Sequence, residues 1–330
     1  MSVDTATRPG LVEDDAPDAP LSPWRFYDVT VARVERISPT FLRVTFVGEG
    51  LDDFASGGLD QRVKLVLPAP VSGYAHLPRG GDWFGVWRAQ SDEHRCVLRT
   101  YTVRSVRRGI PGLPAEVDVD FALHGETGPA ARWALAARPG DQVVLMGPDG
   151  RHGGPYGGIE FTPGAGADTF LVVGDETATP AVSAILEHLA TRVADGHAVR
   201  GEVLLEVPCA DDVLDLVVPR GVTLTWVVRD GAEHGERLVP LVHAASARIL
   251  AGCAGTGEEL PEVDIDAELL WEVPVDDAGA PLAPTAPLYA WLAGEASVIR
   301  TLRRHLVRDC GIDRKAVAFM GYWRQGRPEM

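Results

Sequence analysis

Arg99-Thr100-Tyr101-Thr102, closing the β-rich run Arg95-Cys96-Val97-Leu98, is the stretch from which the rest of the chain is read. It sets a fixed cation, an aromatic plate and two hydroxyls on one strand. Side chains alternate faces along a strand, so Arg99 and Tyr101 share one side, and Thr100 and Thr102 the other. A flat ring beside a cation and a hydroxyl is what an isoalloxazine with a pyrophosphate tail asks of a protein surface. An ordinary strand with a surface arginine is the competing reading, and the rest of the chain decides between them.

With 330 residues, the chain has room for roughly two domains. A hydrophobic share of 45% describes a globular protein. No run approaches the roughly 18 apolar residues of a membrane helix, and the N-terminus carries no secretory pattern. The expectation is a cytoplasmic monomer without membrane insertion. A net charge of -16 argues against a nucleic-acid partner, which needs a basic face. Cys96, Cys209, Cys253 and Cys310 form no Cys-x-x-Cys pair, and the nine histidines show no metal-ligand spacing. No metal centre is expected, so any electrons would travel through an organic cofactor.

In chain order, residues 1–22 are rich in Pro, Asp and Ala and read as a disordered leader. Near-alternating, β-branched runs then mark strands at 26–34, 41–47, 62–67, 95–106, 116–123 and 142–146. Residues 68–94 mix Pro, Gly and Trp and read as a long loop. One helix is expected at about 128–137, with Thr127 near its cap and Pro129 in its first turn. Six antiparallel strands and one helix describe a closed Greek-key β-barrel. The free N–H groups at the start of that helix are either an anion site or a plain capped terminus.

After the glycine-rich stretch 150–166 the period changes. Strands at 169–173, 202–207, 222–228, 288–293 and 316–322 alternate with helices at 181–193, 236–250 and 295–308. That alternation gives a doubly wound parallel sheet. Gly174-Asp175-Glu176-Thr177-Ala178-Thr179-Pro180 forms its first strand–turn–helix junction, a phosphate-cradle position without the full glycine fingerprint. The acidic stretch 251–287 interrupts the alternation and reads as an insertion, a flap or a partner-facing arm. The organisation expected is therefore 1–22 leader, 23–150 barrel and 151–330 α/β domain.

The order of these stretches resembles the siderophore-interacting protein family, FAD-containing ferric-siderophore reductases of the ferredoxin-reductase-like superfamily. The likeness runs from about Tyr27 to Arg327. It rests on Arg99-Thr100-Tyr101-Thr102, Asp120-Phe121-Ala122-Leu123-His124-Gly125, Gly128-Pro129-Ala130 with Trp133-Ala134, Gly174 to Ala178 with Pro180, Trp291-Leu292-Ala293-Gly294-Glu295, and Gly321-Tyr322-Trp323-Arg324. The resemblance implies an FAD barrel followed by a nicotinamide-binding lobe. It would set Tyr101 on the flavin ring, Arg99 near the phosphates and Thr102 near the redox nitrogen. Gly128, Pro129 and Ala130 would hold the pyrophosphate, with His124, Thr127 and Trp133 in the same site. Gly174, Asp175, Glu176, Thr177, Ala178 and Pro180 would face NADPH or NADH, as would Trp291, Gly294 and Glu295 at a strand end. Core packing is the competing reading of Trp291, and equally of Tyr322 and Trp323, whose other reading is an aromatic cover beside the flavin.

The implied substrate is a ferric siderophore, often an anion. Lys64 and Arg132 are the leading candidates to meet it, followed by Arg304 and Arg324. Glu206 could accept ribose hydroxyls or repel an NADPH phosphate, while Arg229 could answer that phosphate. The choice between NADH and NADPH stays open. So do two other readings, a flavin or ferredoxin reductase of the same fold, and a non-catalytic flavin- or siderophore-binding protein.

Overall fold

The computed structural model describes residues 21–55, 57–123, 128–251 and 270–326. Six strands come first: β1 (Trp24–Arg36), β2 (Phe41–Val47), β3 (Arg62–Leu67), β4 (Val97–Arg107), β5 (Glu116–Ala122) and β6 (Gln142–Pro148). They close an antiparallel barrel in the order β1-β2-β5-β4-β3-β6. Alternation fills its interior: Tyr27, Val29 and Val31 of β1, Val63, Leu65 and Leu67 of β3, and Val117, Val119 and Phe121 of β5 all turn inward. Closure leaves no strand edge exposed to pair with another chain.

The segment 68–94 is not all loop. It contains α1 (Trp83–Ala89), whose N-cap Asp82 accepts from the Gly85 N–H. Trp83 meets Phe26 edge-on at 5.5 Å and helps cover the outer barrel face at Val66, Val144 and Met146. Seven residues with an internal glycine leave almost no helical period to read. A second helix, α2 (Pro129–Ala136), buries Ala130 and Ala134 against the barrel core and lays Trp133 on Phe46 at 6.1 Å.

The later elements are β7 (Thr169–Gly174), α3 (Thr179–Ala194), β8 (Arg200–Val207), β9 (Val222–Val228), α4 (Leu238–Leu250), β10 (Trp271–Glu272), β11 (Leu288–Glu295), α5 (Ala296–Arg303) and β12 (Val317–Trp323). Their sheet runs β10-β12-β11-β7-β8-β9, parallel except for the edge strand β10. Every residue of β7 is buried because helices cover both faces. Phe170 and Val172 pack toward α3, and Leu171 and Val173 toward α4 and α5. The expected helix 295–308 divides: α5 stops at Arg303, and Arg304–Asp309 winds as a π-helical turn. The expected insertion is partly sheet, since β10 pairs with β12 and Arg303 holds its Glu272 at 3.0 Å. Residues 1–20 of the expected leader and 252–269 of the insertion lie outside the described residues. Among the described residues no helix is long and apolar enough to cross a membrane.

Three consecutive residues before and at the start of β3 join the barrel to the sheet. Asp60, with no exposed surface, accepts the Glu160 and Phe161 N–H groups at 3.1 and 3.0 Å and the Trp291 indole N–H at 3.0 Å. Gln61 donates to the Gly157 carbonyl at 3.2 Å. Arg62 pairs with Glu160 at 2.5 Å and lies 4.9 Å over Trp271. A second joint is Asp212, which accepts from the Ser38 hydroxyl and the Thr40 N–H at 2.6 and 2.8 Å. Trp291 is fully buried in this joint, as the core-packing reading has it. Tyr322 joins it, edge-on to Trp291 at 6.3 Å and stacked on Trp271 at 5.7 Å.

Asp60 leaves a pH signature. Burial pushes its carboxyl up to about 6 from an ordinary 3.8, although the Phe161 and Trp291 N–H groups pull the other way. The fold therefore holds that proton more tightly than the unfolded chain does. Its contribution to stability is fullest below pH 3.8 and is lost as the pH rises to about 6. Urea unfolding of the native chain and of D60N at stepped pH should show their stability difference falling by about 2 kcal/mol between about pH 4 and pH 7. A difference that stays constant would contradict the assignment.

Candidate functional site

The ladder between β3 and β4 sets the faces of the opening stretch. Val63 opposes Tyr101 and Leu65 opposes Arg99, on the inward side; Arg62 opposes Thr102 and Lys64 opposes Thr100, on the outer side. Tyr101 is half-buried and tilts against Phe121 at 4.5 Å. Arg99 reaches the Leu98 carbonyl at 2.8 Å. Thr102 is buried, whereas Lys64 donates to the Thr100 hydroxyl at 3.1 Å. Burial, and then the Arg62 charge, hold the Lys64 ammonium below its usual range.

α2 begins at Gly128, with Pro129 as its first residue and no side-chain cap among the described residues. Among the described residues, nothing would lie within 4 Å of a Cβ at Gly128. Ala130 is buried, and Arg132 stands exposed on the first turn. His124 and Thr127 lie outside the described residues.

The second cluster stands at the C-terminal edge of β7, β8 and β11. Gly174 is a close-approach glycine, since a Cβ there would fall 2.6 Å from the Ala178 Cβ. Asp175 gathers the turn: its Oδ1 accepts the Thr177 N–H and hydroxyl at 2.9 and 2.5 Å, and its Oδ2 the Glu295 N–H and the Trp323 indole N–H, both at 2.8 Å. Glu295 caps α5 through the Ser297 and Val298 N–H groups at 2.7 and 3.0 Å. Pro180 and Ala178 are buried at the start of α3, and Thr177 is half-buried.

Glu176, wholly buried, takes both arms of Arg229 at 2.6 and 2.7 Å. Arg229 also reaches Glu206 at 3.3 Å. Burial pushes the Glu206 carboxyl up to about 7, with the Gly235 N–H and Arg229 opposing the shift. Arg229 is thus consumed inside the protein and does not answer a cofactor phosphate. His234, with Nδ1 3.8 Å from Glu206 and its ring edge-on to Trp323 at 4.8 Å, completes the cluster. Asp175, Glu176 and His234 bring ligand atoms within 4.8 Å of one another, as a divalent cation would need. Their carboxylates are already engaged, by Arg229 and by the N–H groups around Asp175. A crevice of about 220 Å³ opens between Gly174, Asp175, Glu206, His234, Gly294 and Glu295.

Of the proposed cations, Lys64 stands beside Thr100 and Arg132 on α2, while Arg324 follows β12 by one residue. Arg304 does not share either cluster. The eight residues of α5 carry the chain about 12 Å from the sheet edge before Arg304 is reached. His234 was missed from sequence because a single histidine in a turn has no spacing to mark it.

Comparison with known proteins follows the same two parts. Residues 30–152 match the siderophore-interacting FAD-binding domain, and residues 167–326 match the siderophore-interacting protein model. The chain is 32% identical to the ferric vibriobactin reductase ViuB of Vibrio cholerae, over 90% of this chain and 89% of that one. It is 28% identical to the NADPH-dependent ferric-chelate reductase of Escherichia coli, over 91% and 93%. Among solved structures, the siderophore-interacting protein SipS from Aeromonas hydrophila superposes with a TM-score of 0.62 at 30% identity, covering 92% of this chain and 94% of that one. A siderophore utilization protein from T. fusca gives 0.63 at 27%, covering 93% and 96%. A ferredoxin reductase of carbazole 1,9a-dioxygenase, at 14% identity and 0.55, shares the fold.

The buried pair is open to direct test. E176A takes away the two-armed partner of the Arg229 guanidinium, which is only 7% exposed and keeps just the longer contact to Glu206, and should cost about 3 kcal/mol in urea unfolding. E202A, which breaks the exposed Arg248–Glu202 pair, should cost less than about 1 kcal/mol. Equal costs would contradict the distinction.

Proposed function

The chain belongs to the siderophore-interacting protein family, and we propose that it is a reductase using FAD and NAD(P)H to release iron from ferric siderophores. The observation that carries this reading is the pairing of Tyr101 and Arg99 on one face of β4 with a start of α2 that no described side chain caps. The names of the ViuB and Escherichia coli relatives support the same activity.

The residues present fit FAD. Tyr101 offers a half-exposed ring, and Thr102 a hydroxyl on the same strand. Arg99 offers a cation, and the N–H groups of Gly128 and Ala130, with Pro129 setting the first turn, form the kind of helix N-terminus that a pyrophosphate favours. Trp133 backs that turn. Bound there, FAD supplies the redox chemistry, exchanging a donor's two electrons for the single electrons that Fe(III) accepts. The chain's own work is to orient the cofactor and admit both substrates. We assign residues 23–150 to FAD and 151–330 to the nicotinamide donor, which enters at Gly174 to Ala178, Gly294 and Glu295.

Lys64 and Arg132, with Arg324 as a further cation, are assigned to the anionic siderophore. Fe(II) holds hard oxygen ligands less tightly than Fe(III), so reduction is enough to free the iron. Use of a nicotinamide reductant supports a cytoplasmic location for the reaction.

Purified protein reconstituted with FAD should be yellow. Anaerobic NADH or NADPH should bleach it, and a ferric siderophore should restore the colour while a ferrous chelator traps Fe(II). Bleaching without any trapped iron, but with transfer to free flavin or ferredoxin, would move the chain to another reductase class. Y101A should weaken FAD about ten-fold, from the loss of one stacked ring. Unaltered retention of FAD on dialysis would remove Tyr101 from the flavin site.

A further inference from the structure

α4 packs beside α5 and the turn that follows it, through Val242, Ala245, Leu302 and Leu306. At that seam meet side chains that the proposed reaction does not use. His305 and Cys310 come from the π-helical turn Arg304–Asp309 and the residue that ends it, His243 and Ser246 from α4. The π winding brings the first two together. Residues five apart on an α-helix stand about 140° apart around its axis. In a π turn the hydrogen bond spans five residues and sets them one above the other. Here the Cys310 N–H donates to the His305 carbonyl at 2.9 Å, and the Cys310 thiol lies 3.2 Å from His305 Nε2. Such turns are rare and fall frequently at functional sites.

The buried Ser246 completes a triangle, with Oγ 2.9 Å from His305 Nε2 and 3.8 Å from Cys310 Sγ. A tetrahedral zinc ion, with bonds of about 2.0–2.3 Å, spaces its ligand atoms about 3.4–3.6 Å apart, so shifts of about half an ångström or less would seat one here. On the far side of the ring, the Asp309 carboxylate stands 3.7 Å from His305 Nδ1. A carboxylate there favours the proton on Nδ1 and leaves the lone pair on Nε2, the usual arrangement around a metal-bound imidazole. His243 stacks on the same ring at 3.6 Å and fixes its plane. His243 is exposed, and His305 and Cys310 are half-buried, so solvent reaches the cluster. The Asp175–Glu176–His234 group lacks this freedom, because Arg229 and N–H groups already occupy its carboxylates.

We propose that His305 and Cys310, with Ser246 at the third corner, bind a Zn²⁺ ion that bridges α4 to the turn after α5. Water takes the fourth position. As the Sγ–metal bond forms, the thiol proton leaves to solvent, and nothing is oxidised or reduced. Thiolate and imidazole donors select zinc over the hard cations Mg²⁺ and Ca²⁺. The site is independent of the reductase reading. It is hidden in the sequence because a histidine and a cysteine five apart share a face only in a π turn, and Ser246 is 59 positions from His305.

The whole chain, reduced and treated with a chelator, is titrated with Co²⁺ as an optical probe and then with Zn²⁺, followed by difference absorbance. One cobalt per chain should bind, with thiolate-to-cobalt charge-transfer absorption that Zn²⁺ abolishes and excess Mg²⁺ leaves unchanged. C310S should remove that absorption. D309N leaves every ligand atom in place and should weaken Zn²⁺ about ten-fold, as loss of an orienting carboxylate does. H305A should weaken it at least as much; circular dichroism checks its folding, and H305Q replaces it if the alanine variant does not fold. Absence of stoichiometric binding overturns the proposal. So does charge-transfer absorption that survives in C310S, which would belong to another cysteine. Cobalt bound without any thiolate absorption is capture by exposed histidines and overturns it as well.

Discussion

A carboxylate with no access to water, Asp60, is the constraint on which the rest of the structure depends. It lies one residue before the Gln61–Arg62 start of β3, and its three N–H donors come from the connecting segment and from β11. An uncompensated buried charge is costly, so those donors cannot be given up one at a time. That ties the barrel, the 156–161 connection and the parallel sheet into one arrangement. Any cofactor or substrate held between β4 and the edge of β7 meets surfaces whose spacing is already set. The Asp212 joint at Ser38 and Thr40 acts at a second point, and two separated joints resist rotation where one would not.

The helix N-termini divide the labour of charge. α5 begins with its first N–H groups occupied by the Glu295 carboxylate, and the turn that leads into α3 is held by Asp175 through the Thr177 N–H. α2 begins at Gly128, with no side-chain cap from the described residues. A helix start attracts an anion only where its own chain has not supplied one. The anion preference therefore falls on the barrel side, next to Arg99. The sheet edge, lined by Asp175, Glu206 and Glu295, suits the neutral or cationic end of a ligand better than its phosphates.

Much of this was legible in the sequence, for physical reasons. Strands such as Phe41–Val47 and Thr169–Gly174 advertise themselves, one by alternation and the other by an unbroken apolar run, because burial on one face or on two leaves those patterns. The shared face of Arg99 and Tyr101 could be read because strand alternation alone puts them together, as the β3–β4 register shows. What could not be read depends on contacts distant in sequence. Trp291 meets Asp60 across 231 positions, and nothing local distinguishes such a core tryptophan from a ligand-facing one. Arg229 looked available for a phosphate because its partner Glu176 is 53 positions away. Short elements were lost for another reason: α1 and β10 are too brief to show a period.

A chain of net charge -16 that handles an anionic substrate faces an apparent contradiction, and the placement of its arginines resolves it. Many are already neutralised. Arg33 and Arg107 share Glu116, Arg107 also holds Asp118, Arg43 holds Asp120, and Arg229 is enclosed by Glu176 and Glu206. Arg62 is answered by Glu160 in the same way. Lys64 and Thr100 lie on one outer strip of β3 and β4, and Arg132 stands on α2. At physiological salt a charge is felt over only about 8 Å, so carboxylates elsewhere on the surface do not reach this strip. The overall charge favours solubility, while the affinity for an anion placed beside Lys64 would be set by the charges within a Debye length of it.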